Sequence, residues 1–211
     1  MLKALLPDTP YNSSVGSGVW KQQFSSYAAN EGTFNCSWVE KYRLDPAKVA
    51  QYTQLNGVIY GDSAVRITDV TDGTSNTMIF GEHTVSGLQR INAAYAYSDF
   101  AWNTGQHYDT LFVTMFPPNA YTGSRSGLAT TSTNYPNVAS SQHPGGANFA
   151  FCDGSVRFIK STIDSWAFNG NYPVGVTYSN FVYTIAPGTK LGVYQALSTR
   201  AFGEITSADA F

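Results

Sequence analysis

Charge is scarce in this sequence: Lys, Arg, Asp and Glu together make up 12% of its 211 residues, about half the ~25% of an ordinary soluble domain. The 12 basic residues are scattered, and the formal net charge is −2. A nucleic-acid interface needs a stripe of Lys and Arg against phosphates, so that class is excluded. Long apolar runs are missing too. The patch within Met1–Pro7 is far shorter than the ~20 residues that cross a bilayer. Cysteine is limited to Cys36 and Cys152. With no Cys-x-x-Cys pair, a structural zinc site is not expected. The two thiols are compatible with one disulfide in an exported protein, or with two small buried side chains. Gly-x-Ser-x-Gly, His-Glu-x-x-His and a glycine-rich phosphate loop are all absent.

Aromatic residues are abundant, with 14 Tyr and 13 Phe, and 43% of the chain is hydrophobic. Such a chain can bury a core and does not have the composition of a disordered protein. Its length suits one good-sized domain. Residues 1–24 read as an irregular lead-in, rich in Pro, Ser and Gly from residue 7, and residues 25–211 as a β-rich domain.

Asp45-Pro46 is a helix start and predicts a short helix to about Leu55. Asn56-Gly57 then stops it ahead of a strand at Val58–Tyr60. A turn cluster, Asp69 through Thr77, leads into a buried strand at Met78–Glu82. Further strands are expected at 95–102, 110–116 and 179–185, and a short helix at 161–166. Residues 194–202 are compatible with a helical turn or a strand. The fold class is mainly β (α+β), an antiparallel sheet with a few short helices.

The segment Ala147–Ile159 predicts a hairpin around Asp153-Gly154. A two-residue type I′ turn would place Cys152 opposite Ser155, Phe151 opposite Val156 and Phe149 opposite Phe158. Phe149, Phe151, Val156 and Phe158 would then share one buried face.

Several residues are candidates for chemistry. His143 precedes Asp153 by ten positions, and a His–Asp pair could shuttle a proton in a hydrolase or bind a metal. No nucleophile stands at a recognised spacing beside them, and a structural role is the leading reading. Asp69, Asp72 and Asn76 are turn oxygens that could hold Ca2+, although their spacing is not that of an EF-hand. Glu82, at a strand end, is expected to be hydrogen-bonded or paired at the surface, and Glu204 has no partner carboxylate. Tyr and Trp could stack on sugars, with core packing as the commoner use.

Three blocks carry a family resemblance. The first is Ser26–Asn30. The second is Asn56-Gly57-Val58 with Ile67–Thr77 and Gly81-Glu82. The third runs from His143-Pro144-Gly145-Gly146-Ala147-Asn148 to Asp153-Gly154-Ser155-Val156, with a tail at Ala196–Arg200 and Gly203-Glu204. Together they resemble bacterial pilin-like proteins that begin with a prepilin-type segment and carry a motif of His, nine residues, then Asp-Gly. That family is similar to type IV pilins and type II secretion pseudopilins, and it has also carried a solute-binding label.

The resemblance implies a pilin-head-like domain outside the cytoplasm. It implies self-association or contact with other pilin-like subunits, and no cofactor. Membrane contact would come only through an N-terminal apolar helix, which has no counterpart in this sequence. The chain is therefore expected to enter the family's domain part-way. The main expectation is a structural subunit and not an enzyme; the alternative is a secreted carbohydrate- or solute-binding module.

Overall fold

A computed structural model describes residues 25–36, 46–84, 110–120, 137–169 and 172–203. The expected strand at 95–102 lies outside them, as do residues 1–24. The central element is a five-stranded sheet in the order β3-β1-β2-β4-β5. Its strands are β1 (Tyr27–Gly32), β2 (Met78–Glu82), β3 (Leu111–Val113), β4 (Gly146–Phe151) and β5 (Val156–Lys160). All neighbours are antiparallel except β1 and β3, which run parallel. Two small hairpins follow: β6 (Phe168–Asn169) with β7 (Tyr172–Pro173), and β8 (Val176–Ser179) with β9 (Val182–Ile185). Helices α1 (Pro46–Tyr52) and α2 (Val193–Ala196) are short. The fold is mainly β, as composition and pattern predict. Among the described residues no helix is long and apolar enough to cross a membrane.

One face of the sheet carries Ala28, Met78, Phe112, Ala147, Phe149, Phe151 and Ile159, all buried. Tyr194 and Leu197, from α2 and its C-terminal end, pack against this face. The Phe149 ring meets Phe112 and Tyr194 edge-on, at 5.6 and 5.9 Å between centroids. Gly81 makes room for it: a Cβ there would stand 2.6 Å from the Phe149 ring. A second core joins Phe34, Phe116 and Trp166 to Val176 and Tyr183 of the last hairpin. Phe34 stacks on Tyr183 at 4.5 Å.

Two expected elements are replaced by loops. Val58–Tyr60 forms no strand; the Val58 and Ile59 N–H groups both donate to the Asn30 carbonyl. Gly57 brings this loop onto β1, since a Cβ there would lie 2.2 Å from the Glu31 carbonyl carbon. Residues 161–166 form no helix, and Ile163 N–H closes a single turn onto Lys160 O.

The β4–β5 hairpin exists, but its register differs from the expectation by one residue. Ala150 pairs with Val156, Phe149 with Arg157 and Ala147 with Ile159. The connection has three residues, Cys152 to Gly154. Phe151 N–H donates to Ser155 O, and Gly154 N–H to Phe151 O. Only Gly154 has positive φ, at 86°. This is the turn-plus-left-handed-Gly connection and not type I′. The cause is partly tertiary and partly local. Cys152 and Asp153 N–H donate to Thr77 and Thr74 carbonyls, and the Asp153 carboxylate accepts Ser155 N–H at 2.9 Å. Val156 and Phe158 therefore face outward, 66% and 44% exposed, while Ile159 is fully buried. Arg157 shares the inner face and sits 4.3 Å over the Phe151 ring.

Candidate functional site

The motif residues gather into two polar knots. The first lies where β2 ends and β4 begins. Glu82 Oε2 accepts the Asn148 backbone N–H at 2.7 Å and its side-chain amide at 3.2 Å. Glu82 Oε1 lies 3.1 Å from His143 Nε2. The Glu82 side chain is 14% exposed and that of His143 56%. Around them, Ser140 N–H donates to Glu82 O, and Ser140 Oγ accepts Thr84 N–H. Asn119 spans the neighbouring loops. Its amide donates to Gly146 O and Ser161 Oγ, and its Oδ1 accepts Ser141 N–H. Glu82, expected to be hydrogen-bonded or paired at the surface, is hydrogen-bonded but mostly buried.

The second knot fastens the tail. The Asp72 carboxylate accepts Thr199 Oγ–H, Phe202 N–H and Gly203 N–H, all within 3.0 Å. Arg200 donates its guanidinium to the Leu55 and Gly57 carbonyls, and its own carbonyl accepts Thr71 and Asp72 N–H. Deeper in, Asn30 donates to Met78 O and Ser198 O. Blocks far apart in the sequence thus meet, and most of these bonds run between a side chain and the backbone of a different segment.

Three alternatives that the sequence leaves open are not realised among the described residues. His143 and Asp153 do not meet. They lie beyond opposite ends of β4, whose six residues span roughly 20 Å. The Asp153 carboxylate is taken by Ser155, which holds its pKa below the usual range. Asp69, Asp72 and Asn76 do not form a calcium cage. Asp69 is paired with Arg66 at 3.0 Å, Asp72 is occupied by the tail, and Asn76 donates its amide to Asp72 O. Among the described residues no cluster of three His, Cys, Asp or Glu could hold a metal. Cys36 and Cys152 are both free thiols: Cys36 is buried beside Leu55, and Cys152 lies in the hairpin turn.

Two further features escaped the sequence reading. Glu31 is completely buried; its Oε1 accepts Cys36 N–H at 3.2 Å and its Oε2 has no partner. Burial pushes its pKa up to about 8, so the side chain is a neutral acid at pH 7. A groove of about 380 Å³ runs beside the last hairpin, lined by Phe34, Gln54, Tyr183, Ile185, Leu191 and Phe202 among others. Both ends of the Gln54 amide are bonded to the Tyr183 backbone. Neither feature has a motif; each arises from packing between distant segments.

One protein family matches residues 5–165. It is described as protein of unknown function (DUF1559), with the short name SBP_bac_10. No curated protein and no solved structure matches the chain.

Proposed function

This chain belongs to the DUF1559 family, and from that premise we propose that it is a structural subunit of an extracytoplasmic bacterial assembly of the pilin or pseudopilin kind, without catalytic activity. The observation that carries the reading is how the motif residues are spent. Glu82, Asp72, Asn30 and Arg200 direct their polar groups to backbone of other segments, so the motifs close the fold. A catalytic constellation would instead converge on a reacting atom beside a nucleophile. Partners would be other copies or other pilin-like subunits, meeting through a surface with few charges to desolvate. The test is immunogold labelling and fractionation of cells that make the natural protein. Label on filaments or on a sheared surface fraction supports the reading. Label confined to the cytoplasm overturns it.

A second reading, a secreted solute- or carbohydrate-binding module, is favoured by the groove and by the family's short name. Its volume falls in the range of small-molecule sites. A thermal-shift and glycan screen separates the two. A ligand whose binding is lost in Phe202→Ala, at the groove's exposed rim, would favour the binding module.

A further inference from the structure

The register of the β4–β5 hairpin leaves β5 with an unusual outer edge. It is the last strand of the sheet, and no described strand pairs with its far side. Phe151 N–H donates to Ser155 O at one end of the hairpin, and Ser161 N–H to Gly145 O at the other. By the antiparallel alternation, Arg157 and Ile159 then face β4 with their backbone groups, while Val156, Phe158 and Lys160 turn theirs outward. Edge strands are normally blunted by proline, bulges or charge. This one carries Arg157 and Lys160 but has no proline, and beside them it presents Val156 at 66% and Phe158 at 44% exposure. The Phe158 ring lies against Gly146, where a Cβ would come within 2.8 Å of it.

We propose that β5 is a self-association edge that pairs antiparallel with β5 of a second copy, about a two-fold axis at Phe158. The register follows from the strand's own sequence. Centring on Phe158 uses all five residues: Phe158 faces its copy, Val156 faces Lys160, and Arg157 faces Ile159. Centring on Arg157 would set two guanidinium groups opposite each other, which is unfavourable. Centring on Ile159 would leave Val156 and Arg157 opposite residues beyond the strand, and centring on Val156 or Lys160 would leave most of it unpaired. At the Phe158 centre no two like charges oppose. The Phe158 pair exchanges two backbone hydrogen bonds, and each Lys160 N–H reaches a Val156 carbonyl. The outer faces of the two sheets then join through adjacent Phe158 rings flanked by Val156. This contact closes on itself, so it stands whether or not the chain also enters a filament, which requires a second, head-to-tail surface.

The experiment is sedimentation velocity on the full chain over a concentration series, with Val156→Glu, Val156→Lys and Tyr27→Lys. Glu at 156 would oppose Lys160 of the second copy, and Lys would repel it. Both variants lose the same valine, so the two are compared with each other: two symmetric pairs predict that Val156→Glu dimerises more tightly than Val156→Lys by roughly two- to thirty-fold or more. Tyr27, 54% exposed and three strands from β5 across the same sheet, is the control for face-to-face stacking. Its variant should dimerise as the natural chain does. Hydrogen exchange should show the Phe158 amide protected only at high concentration. A monomer up to about a millimolar overturns the proposal. So does Val156→Lys dimerising as tightly as Val156→Glu, or loss of dimer in Tyr27→Lys alone. Folding of each variant is checked by circular dichroism, and position 156 is exposed enough to accept either charge.

Discussion

The Glu82 carboxylate holds the backbone N–H of Asn148 at 2.7 Å, across 66 residues of sequence. The same carboxylate meets His143, whose ring is more than half exposed. The two contacts are unequal. Removing the acceptor strands a backbone donor at the start of β4, whereas removing the imidazole breaks an exposed pair. Glu82→Ala is expected to cost about 1–3 kcal/mol and His143→Ala about 0–1 kcal/mol. Urea unfolding of both variants checks the order. A His143 variant as damaged as Glu82→Ala would mean that the ring does more than accompany the carboxylate.

Glu31 gives stability a pH dependence. Its carboxyl titrates near 8 when folded and near 4.5 when exposed, because burial disfavours the anion. Between those values the unfolded chain has released the proton and the folded chain keeps it. The contribution is therefore complete below about pH 4.5 and is lost as pH rises towards 8, at up to about 1.4 kcal/mol per pH unit. Urea midpoints at pH 5, 6.5 and 8 should fall through this window. Glu31→Gln keeps an acceptor for Cys36 N–H and removes the proton, so its midpoint should lose that slope.

The thiols should differ in reactivity for a related reason. Burial, and then the nearby Glu31, push the Cys36 thiol up to about 12; Cys152, half-buried, is raised to about 11 by burial and Asp153. Since the thiolate is the reactive form, both should be slow towards iodoacetamide at pH 8, with Cys152 the faster. Peptide mapping by mass spectrometry after timed alkylation measures this. A disulfide between them in the oxidised chain would contradict the structure.

Tyr194 sits in the main core with its hydroxyl buried and without a partner. A buried polar group with no hydrogen bond is a cost. Tyr194→Phe keeps the edge-on contact with Phe149 and deletes that cost, so it should be neutral or stabilising by about 1 kcal/mol. Tyr194→Ala should lose about 3–5 kcal/mol. Thermal unfolding of the two variants separates the hydroxyl from the ring.

How much was legible in the sequence follows from the range of each interaction. The strand at Met78–Glu82, the helix beginning at Pro46 and the hairpin at Asp153-Gly154 rest on local pattern, and they are present. The pairing of Glu82 was also foreseeable from a lone acid at a strand end. Its partners were not, because His143 and Asn148 reach it only after β4 lies beside β2. The Asp72 clamp was hidden for the same reason: in sequence Asp72 reads as a turn residue, and its three donors come from a tail about 130 residues away. The loss of the expected strand at Val58–Tyr60 is likewise tertiary, since the Val58 and Ile59 N–H groups are claimed by Asn30 O.

The hairpin register offers the sharpest mutational test, because the two registers assign opposite costs to neighbouring residues. A type I′ turn would bury Val156 and Phe158 and expose Ile159. The structure buries Ile159 against Ala147 and exposes the other two. Ile159→Thr should then cost about 2–4 kcal/mol, through a lost apolar group and a buried hydroxyl. Val156→Thr should stay within about 0.5 kcal/mol, as an exposed strand residue exchanged for another β-former. Gly154→Ala should cost about 1 kcal/mol or more, because alanine resists φ near 86°. Asp153→Ala should cost about 0.5–1.5 kcal/mol by releasing Ser155. A tolerated Ile159→Thr beside a damaging Val156→Thr would restore the type I′ register. It would also remove the exposed Val156 and Phe158 on which pairing through β5 depends.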